Sequence, residues 1–213
     1  MKKRVDLVSG NIIGTLITLS LPILGTSFIQ MAYNLVDMIW IGKAGSAAVA
    51  AIGTAGFFSW FGNSLVLITK TGAEVGVSQS IGKNDECERN SYIYSSITLA
   101  LIMAIVYTVI LILFKKKLIG FFNLGDVEII KMSLDYLIII ALGMICAFLN
   151  PQFTGIFTAS GNSKTPFIVN TIGLIVNIVL DPILIFGIGK VSPLGVKGAA
   201  LATVLSQLLV TII

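Results

Sequence analysis

The sequence predicts an all-α membrane protein, a polytopic bundle of six helices, and three observations carry that expectation. Hydrophobic residues make up 56% of the 213-residue chain. Charged residues make up only 11%, against about 25% in soluble domains. The mean hydropathy is +0.99. The apolar residues gather into six long runs, none with the dyad alternation that a membrane barrel strand requires.

The first run, 12–41, follows the basic cluster MKKR. It is too long for the roughly 7–15-residue core of a signal peptide and lacks a small-residue cleavage site, so it reads as a retained span. The second run, 47–78, opens among small residues, and the polar loop SIGKNDECER leads to the third, 91–114. Three lysines, 115–117, are expected to end it. GDVE at 125–128 leads into the fourth run, 129–160, and the turn GNSKTP at 161–166 opens the fifth, 166–186. Glycine and proline punctuate 187–195, and the sixth run covers 196–213. Several runs approach thirty residues. At about 1.5 Å per residue they exceed a hydrocarbon core of about 30 Å, so tilt or protrusion is expected.

Charge narrows the function classes. The net charge is +4, and the basic residues stand singly or in threes between apolar runs. That pattern marks membrane flanks and leaves no nucleic-acid patch. The chain has no histidine, which removes most imidazole catalysis and most zinc sites. Cys87 and Cys146 have no metal spacing and read as free thiols. An internal N-terminus puts Lys2, Lys3, Arg4, Lys70, Lys83, Arg89 and Lys164 on the cytoplasmic side, against Lys43, Lys115, Lys116, Lys117, Lys131, Lys190 and Lys197 outside. The tie leaves the positive-inside rule undecided.

Polar residues inside the spans carry the chemistry. VNIVLDPILIFG, 176–187, sets Asp181 beside Pro182 in an otherwise apolar run, although a carboxylate costs roughly 2.5–3.5 kcal/mol at a helix centre. Asn170, Asn177 and Asp181, spaced by seven and four, fall on one helical stripe. Gln30, Asn34 and Asp37 form a second stripe on the first span, and Thr203 and Gln207 lie one turn apart on the sixth. Proline lacks an N–H, so Pro182 frees the carbonyl of Ile178, beside Asn177 and one turn from Asp181. A carboxylate, an amide oxygen and a freed carbonyl suit a small hard cation. The same carboxylate can hold a proton instead.

Plainer readings stand beside these. Asn170 and Gln30 can serve as interhelical hydrogen bonds, and Asp37, near a span end, as an interfacial carboxylate. Lys70 and Glu74 at i, i+4 are expected to pair with each other, and Asp135 to be solvated. Pro22 and Pro151 read as tolerated kinks.

GIFTASGNSKTPFIVNTIGLIVNIVLDPILIFG followed by GVKGAALATVLSQ resembles helices 4–6 of the MATE (multidrug and toxic compound extrusion) family. LPILGTSFIQMAYNLVDMIWIGKAGSAAVAAIG is similar to its first helix, including a proline fifteen residues before the aspartate, and GAEVGVSQSIGKND to its second helix and following loop. The resemblance implies one six-helix lobe of a twelve-helix transporter, here occupying 1–213, with the C-terminal lobe missing. It implies alternating access, and export of organic cations or drugs in exchange for Na+ or H+. It also implies a multi-pass protein of the cell (inner) membrane with a cytoplasmic N-terminus. The family's cation or proton site maps onto Asp37, Asn177, Asp181, Thr203 and Ala199, the first four as candidate Na+ ligands, and its helix 1 proline onto Pro22. Gln30, Asn34 and Pro182 complete the candidate cavity-lining and hinge residues.

Two other functions fit less well. A lipid-linked flippase of the same superfamily favours a cationic cavity, and few intramembrane lysines or arginines are present. An intramembrane aspartyl protease needs two membrane aspartates, but typically in Tyr-Asp and Gly-x-Gly-Asp contexts; here they are Val36-Asp37 and Leu180-Asp181. GNSKT lacks the first glycine of a P-loop, so no ATP site is expected, and the transporter resemblance implies no enzyme activity and no cofactor beyond the coupling ion. VLSQLLVTII runs apolar to the last residue, which leads to the expectation of half a transporter that needs its second lobe.

Overall fold

The computed structural model describes residues 12–187 and 192–213. Lys2, Lys3, Arg4 and Lys190, which entered the charge comparison, lie outside the described residues. Those residues form six α-helices and no strand: α1 (Ile12–Lys43), α2 (Ser46–Gly82), α3 (Glu86–Gly120), α4 (Val127–Ala159), α5 (Lys164–Phe186) and α6 (Val196–Ile212). The first five are long and apolar enough to cross a membrane, and α6 is a shorter apolar helix.

The helices run further than the apolar segments alone indicate. Most of SIGKNDECER is helical, and only Lys83–Asp85 connects α2 to α3. Asn84 takes the left-handed conformation there, with φ 55°, which asparagine tolerates. Asp85 then caps α3 by accepting from the Glu88 amide at 2.9 Å, and Glu86 and Glu88 complement the helix dipole. The expectation that Lys115–Lys117 end the third helix is corrected: α3 continues through them to Gly120. Lysine is a good helix former, and its charge is favourable near a C-terminus. Asp126 caps α4 through the Glu128 amide at 2.8 Å.

α4 lies at the centre, packed against α2, α3 and α6; α5 packs on α6, and α1 lies at the edge, mainly against α5. Lipid offers no hydrophobic drive between helices, so close packing at small residues holds them together. On α4, Gly143 sits directly under the Val204 side chain of α6. The tightest approach is at Gly198 of α6, where any Cβ would run into the backbone of Leu184 and Ile185 on α5. The carbonyls of Leu184 and Ile185 accept from the Leu194 and Gly195 amides, each at 3.0 Å, which pins the α5–α6 hairpin. Gly198→Ala is therefore expected to destabilise the lobe by about 1–3 kcal/mol, read from a shift in its mixed-micelle unfolding curve. An unchanged curve would show that the hairpin yields there.

Of the four ion pairs among the described residues, Lys70–Glu74 was expected from its spacing and the other three were not. Lys70 and Glu74 pair at 3.6 Å, Lys83 and Glu88 at 3.1 Å, and Arg89 and Glu86 at 3.3 Å. Asp135, expected to be solvated, instead joins Lys197 at 3.1 Å and ties α4 to α6. Cys87 and Cys146 are both free thiols.

Candidate functional site: a two-carboxylate cluster between α1, α5 and α6

Asp181 and Asn177 are fully buried on the inward face of α5. One turn separates them, and the Asn177 amide Nδ2 donates to Asp181 Oδ1 at 3.3 Å. Asp181 Oδ2 and Asn177 Oδ1 are buried with no hydrogen-bond partner. α5 continues through Pro182 to Phe186 without a break, and Gly187 ends it in the left-handed conformation at φ 74°. The helix thus keeps its course while the Ile178 carbonyl loses its ladder donor.

α1 brings Asp37 within electrostatic reach of Asp181. Its charge and that of Asp181 act on each other, and both act on Tyr33 of α1 and Tyr136 of α4. Asp37 is half-buried, and its Oδ1 is buried without a partner. α6 supplies hydroxyls from the third side. Thr203 Oγ1 donates to the Ala199 carbonyl at 3.0 Å, which leaves the lone pairs of Thr203 free to accept. The Tyr33 and Ser206 hydroxyls are 2.9 Å apart, and Ser206 donates to the Thr203 carbonyl at 2.9 Å.

The two proposed stripes divide. Gln30 and Asn34 are exposed on α1, away from the lobe's interior, and Asn170 donates to the Pro166 carbonyl of its own helix at 2.7 Å. Pro22 is half-buried in a continuous α1, its carbonyl accepting from Thr26 at 3.0 Å.

Sequence reasoning missed Tyr33, Tyr136 and Ser206. Tyr33 stands one turn before Asp37 and Ser206 three residues after Thr203, a spacing that was the available signal for both. It also missed Gln152 of α4, fully buried with neither amide atom partnered. An unsatisfied buried polar group costs about 1–3 kcal/mol, and an apolar replacement of similar shape removes that cost. Gln152→Leu is expected to leave the unfolding midpoint unchanged or raise it, and a marked drop would show that the amide is satisfied in the membrane.

Among the described residues no three His, Cys, Asp or Glu side chains gather at one place. A cation here would be held by a mixed oxygen set of two carboxylates, an amide, a hydroxyl and backbone carbonyls. Such donors fit a hard monovalent ion and offer nothing to a thiophilic metal.

A lobe of membrane-spanning helices, with acidic and amide groups of α1 and α5 beside hydroxyls of α6, defines a polytopic membrane protein with an internal polar site. Its sequence and fold place it further. The chain belongs to the MatE family, whose model matches residues 22–183. It is 29% identical over 192 residues to "Probable multidrug resistance protein NorM" of Thermotoga maritima, covering 90% of this chain and 41% of that one. A Shewanella oneidensis protein named "FAD transporter" is 26% identical over 208 residues, covering 98% and 46%. A solved structure described as MATE in complex with MaD3S superposes on all of this chain and 47% of its own, with TM-score 0.90 and 27% identity. A Pyrococcus furiosus MOP superfamily transporter, described as having a binding pocket of reversed polarity, gives 0.86 at 28% identity over 46% of its length. The fold is that of one lobe of a MATE transporter, and the chain spans about half the length of the proteins it matches.

Proposed function

We infer that this chain is the N-terminal lobe of a secondary antiporter that exports organic cations or drugs in exchange for Na+ or H+. The observation that carries the reading is the buried pair Asp181 and Asn177 on α5, each with an unpartnered oxygen, within electrostatic reach of Asp37 on α1. Ionisable groups inside a span face a bundle interior or a watery cavity and mark ion pathways. Asp37, Asn177, Asp181 and Thr203 would ligate the ion, with Ala199 and the freed Ile178 carbonyl beside them. The Tyr33–Ser206 contact would hold α1 against α6 while the ion is bound. Alternating access would then rock this lobe against a second one.

The relatives' names support drug export, with the Shewanella protein as the reason a second reading is kept. A larger anionic substrate such as FAD is that second reading. Carboxylates and amides at the described site favour the cationic one. On this reading the N-terminus would face the cytoplasm, in a multi-pass arrangement in the cell membrane.

Vesicles containing the complete transporter test this. An imposed Na+ gradient, or separately a pH gradient, should drive accumulation of a cationic dye. A transporter that ignores both gradients and moves only an anionic substrate would overturn the reading.

A further inference from the structure

We propose that the paired ends of α3 and α4, through Lys115, Lys116, Lys117 and Lys131, form a binding surface for anionic phospholipid headgroups.

Most cations elsewhere are satisfied within the lobe. Lys70, Lys83, Arg89 and Lys197 each have an acidic partner, and Lys43 lies 4.4 Å from the centre of the Trp40 ring. At the far end of the same α3, Glu88 holds Lys83 charged above the ordinary lysine range through a direct hydrogen bond. Lys115, Lys116, Lys117 and Lys131 have no ion-pair partner among the described residues, although Asp126 caps α4 and Glu128 lies about one turn before Lys131.

Topology collects the four. α3 ends at Gly120 and α4 begins at Val127, so the two run antiparallel from a short connection. Lys116 lies four residues before the end of α3, and Lys131 four residues after the start of α4, which puts them at one level. Lys116, Lys117 and Lys131 are exposed, and Lys115 is half-buried. Consecutive positions on α3 fan the first three over about 200° of its circumference.

Two apolar groups beside them favour lipid over a soluble anion. Phe121 is 82% exposed and Val127 80%, at the two ends of the connection. α3 is also the most hydropathic of the five spans, so the lysines stand where its apolar run stops. Lysine stems can lie along acyl chains while their ammonium groups reach phosphates. A freely solvated charge run has no use for an exposed phenylalanine at its edge.

The test uses the complete transporter in nanodiscs of phosphatidylglycerol and phosphatidylcholine in equal amounts, followed by mild extraction and lipid analysis. Retained phosphatidylglycerol should exceed phosphatidylcholine by about fivefold or more, since one lysine near an anionic surface is worth roughly that factor. Replacing all four lysines by glutamine should bring the ratio close to one, while four arginines should preserve it. Should the glutamine variant fail to fold, Lys116→Gln with Lys117→Gln should still lower the ratio severalfold. Lys164→Gln, a distant unpaired lysine, should leave it unchanged. A wild-type ratio near one would overturn the proposal. So would enrichment that survives the glutamine variants, that Lys164→Gln lowers as much, or that millimolar inorganic phosphate displaces.

Discussion

Asp181→Asn should weaken ion binding by the lobe about thirtyfold or more while leaving its stability intact or raised. The variant keeps the shape of the side chain, and its oxygen can still accept from Asn177 Nδ2 as Asp181 Oδ1 does at 3.3 Å. What it loses is the charge on a fully buried group whose other oxygen has no partner. Removing a buried charge that is poorly compensated is often neutral or stabilising. The attraction for a cation goes with it: two unit charges about 4 Å apart interact by roughly 4 kcal/mol at an effective dielectric of 20. Half of that already corresponds to about thirtyfold in affinity. The measurement is an unfolding midpoint with and without Na+, because a ligand that binds only the folded state raises it. Wild type should respond to the ion at concentrations that leave the variant unmoved, with the variant's ion-free midpoint equal to or above wild type's. A variant that unfolds earlier and still responds would remove Asp181 from the site and make it structural. In the complete transporter, the same change should stop gradient-driven efflux.

Asp37→Asn carries the second large effect, and its value lies in combination with the first. The two carboxylates act on each other from different helices. If both hold one ion, removing either leaves little for the other to contribute, so the losses must not add. The double variant should lose about 0.5–3 kcal/mol less ion-binding free energy than the sum of the single losses. Titration of Na+ into the four proteins of the cycle gives that number. Additive losses would return Asp37 to the role of an interfacial carboxylate that the sequence also allowed.

Periodicity assigns each polar residue to a face of its own helix, and where a buried charge defines that face the assignment is strong. Asp181, Asn177 and Pro182 were legible because a carboxylate and a helix breaker have few reasons to share an apolar run. Periodicity does not say which faces meet. The hydroxyls of Tyr33 and Ser206 come within 2.9 Å across 173 residues of chain, a result of how α1 and α6 lean on α5. Asp135 looked solvated from its place near a span start, and its partner Lys197 lies on another helix. Asn170 shared a stripe with Asp181 and yet bonds to its own backbone, since an amide can satisfy itself locally at no packing cost. Helix existence followed from composition; helix ends did not, because lysine runs and capped polar turns extend helices beyond the hydrocarbon.

α1 leans on the lobe along one side, and only 6% of its most apolar window is buried within the lobe. That window rests against few neighbours, whereas α4 is enclosed by three. The wall that carries Asp37 is consequently the least enclosed of the five long spans. Parting it from α5 and α6 would break the Tyr33–Ser206 contact, the edge-to-face contact of Trp40 with Phe186 and the packing of Gly25 against Phe167, while the Asn177–Asp181 bond lies within α5 and is untouched. Amide hydrogen exchange should show α1 opening at a lower free energy than α4. The dwell time of a bound ion would then be set by one loosely seated helix, and single substitutions along its seam would retune turnover without touching a ligand.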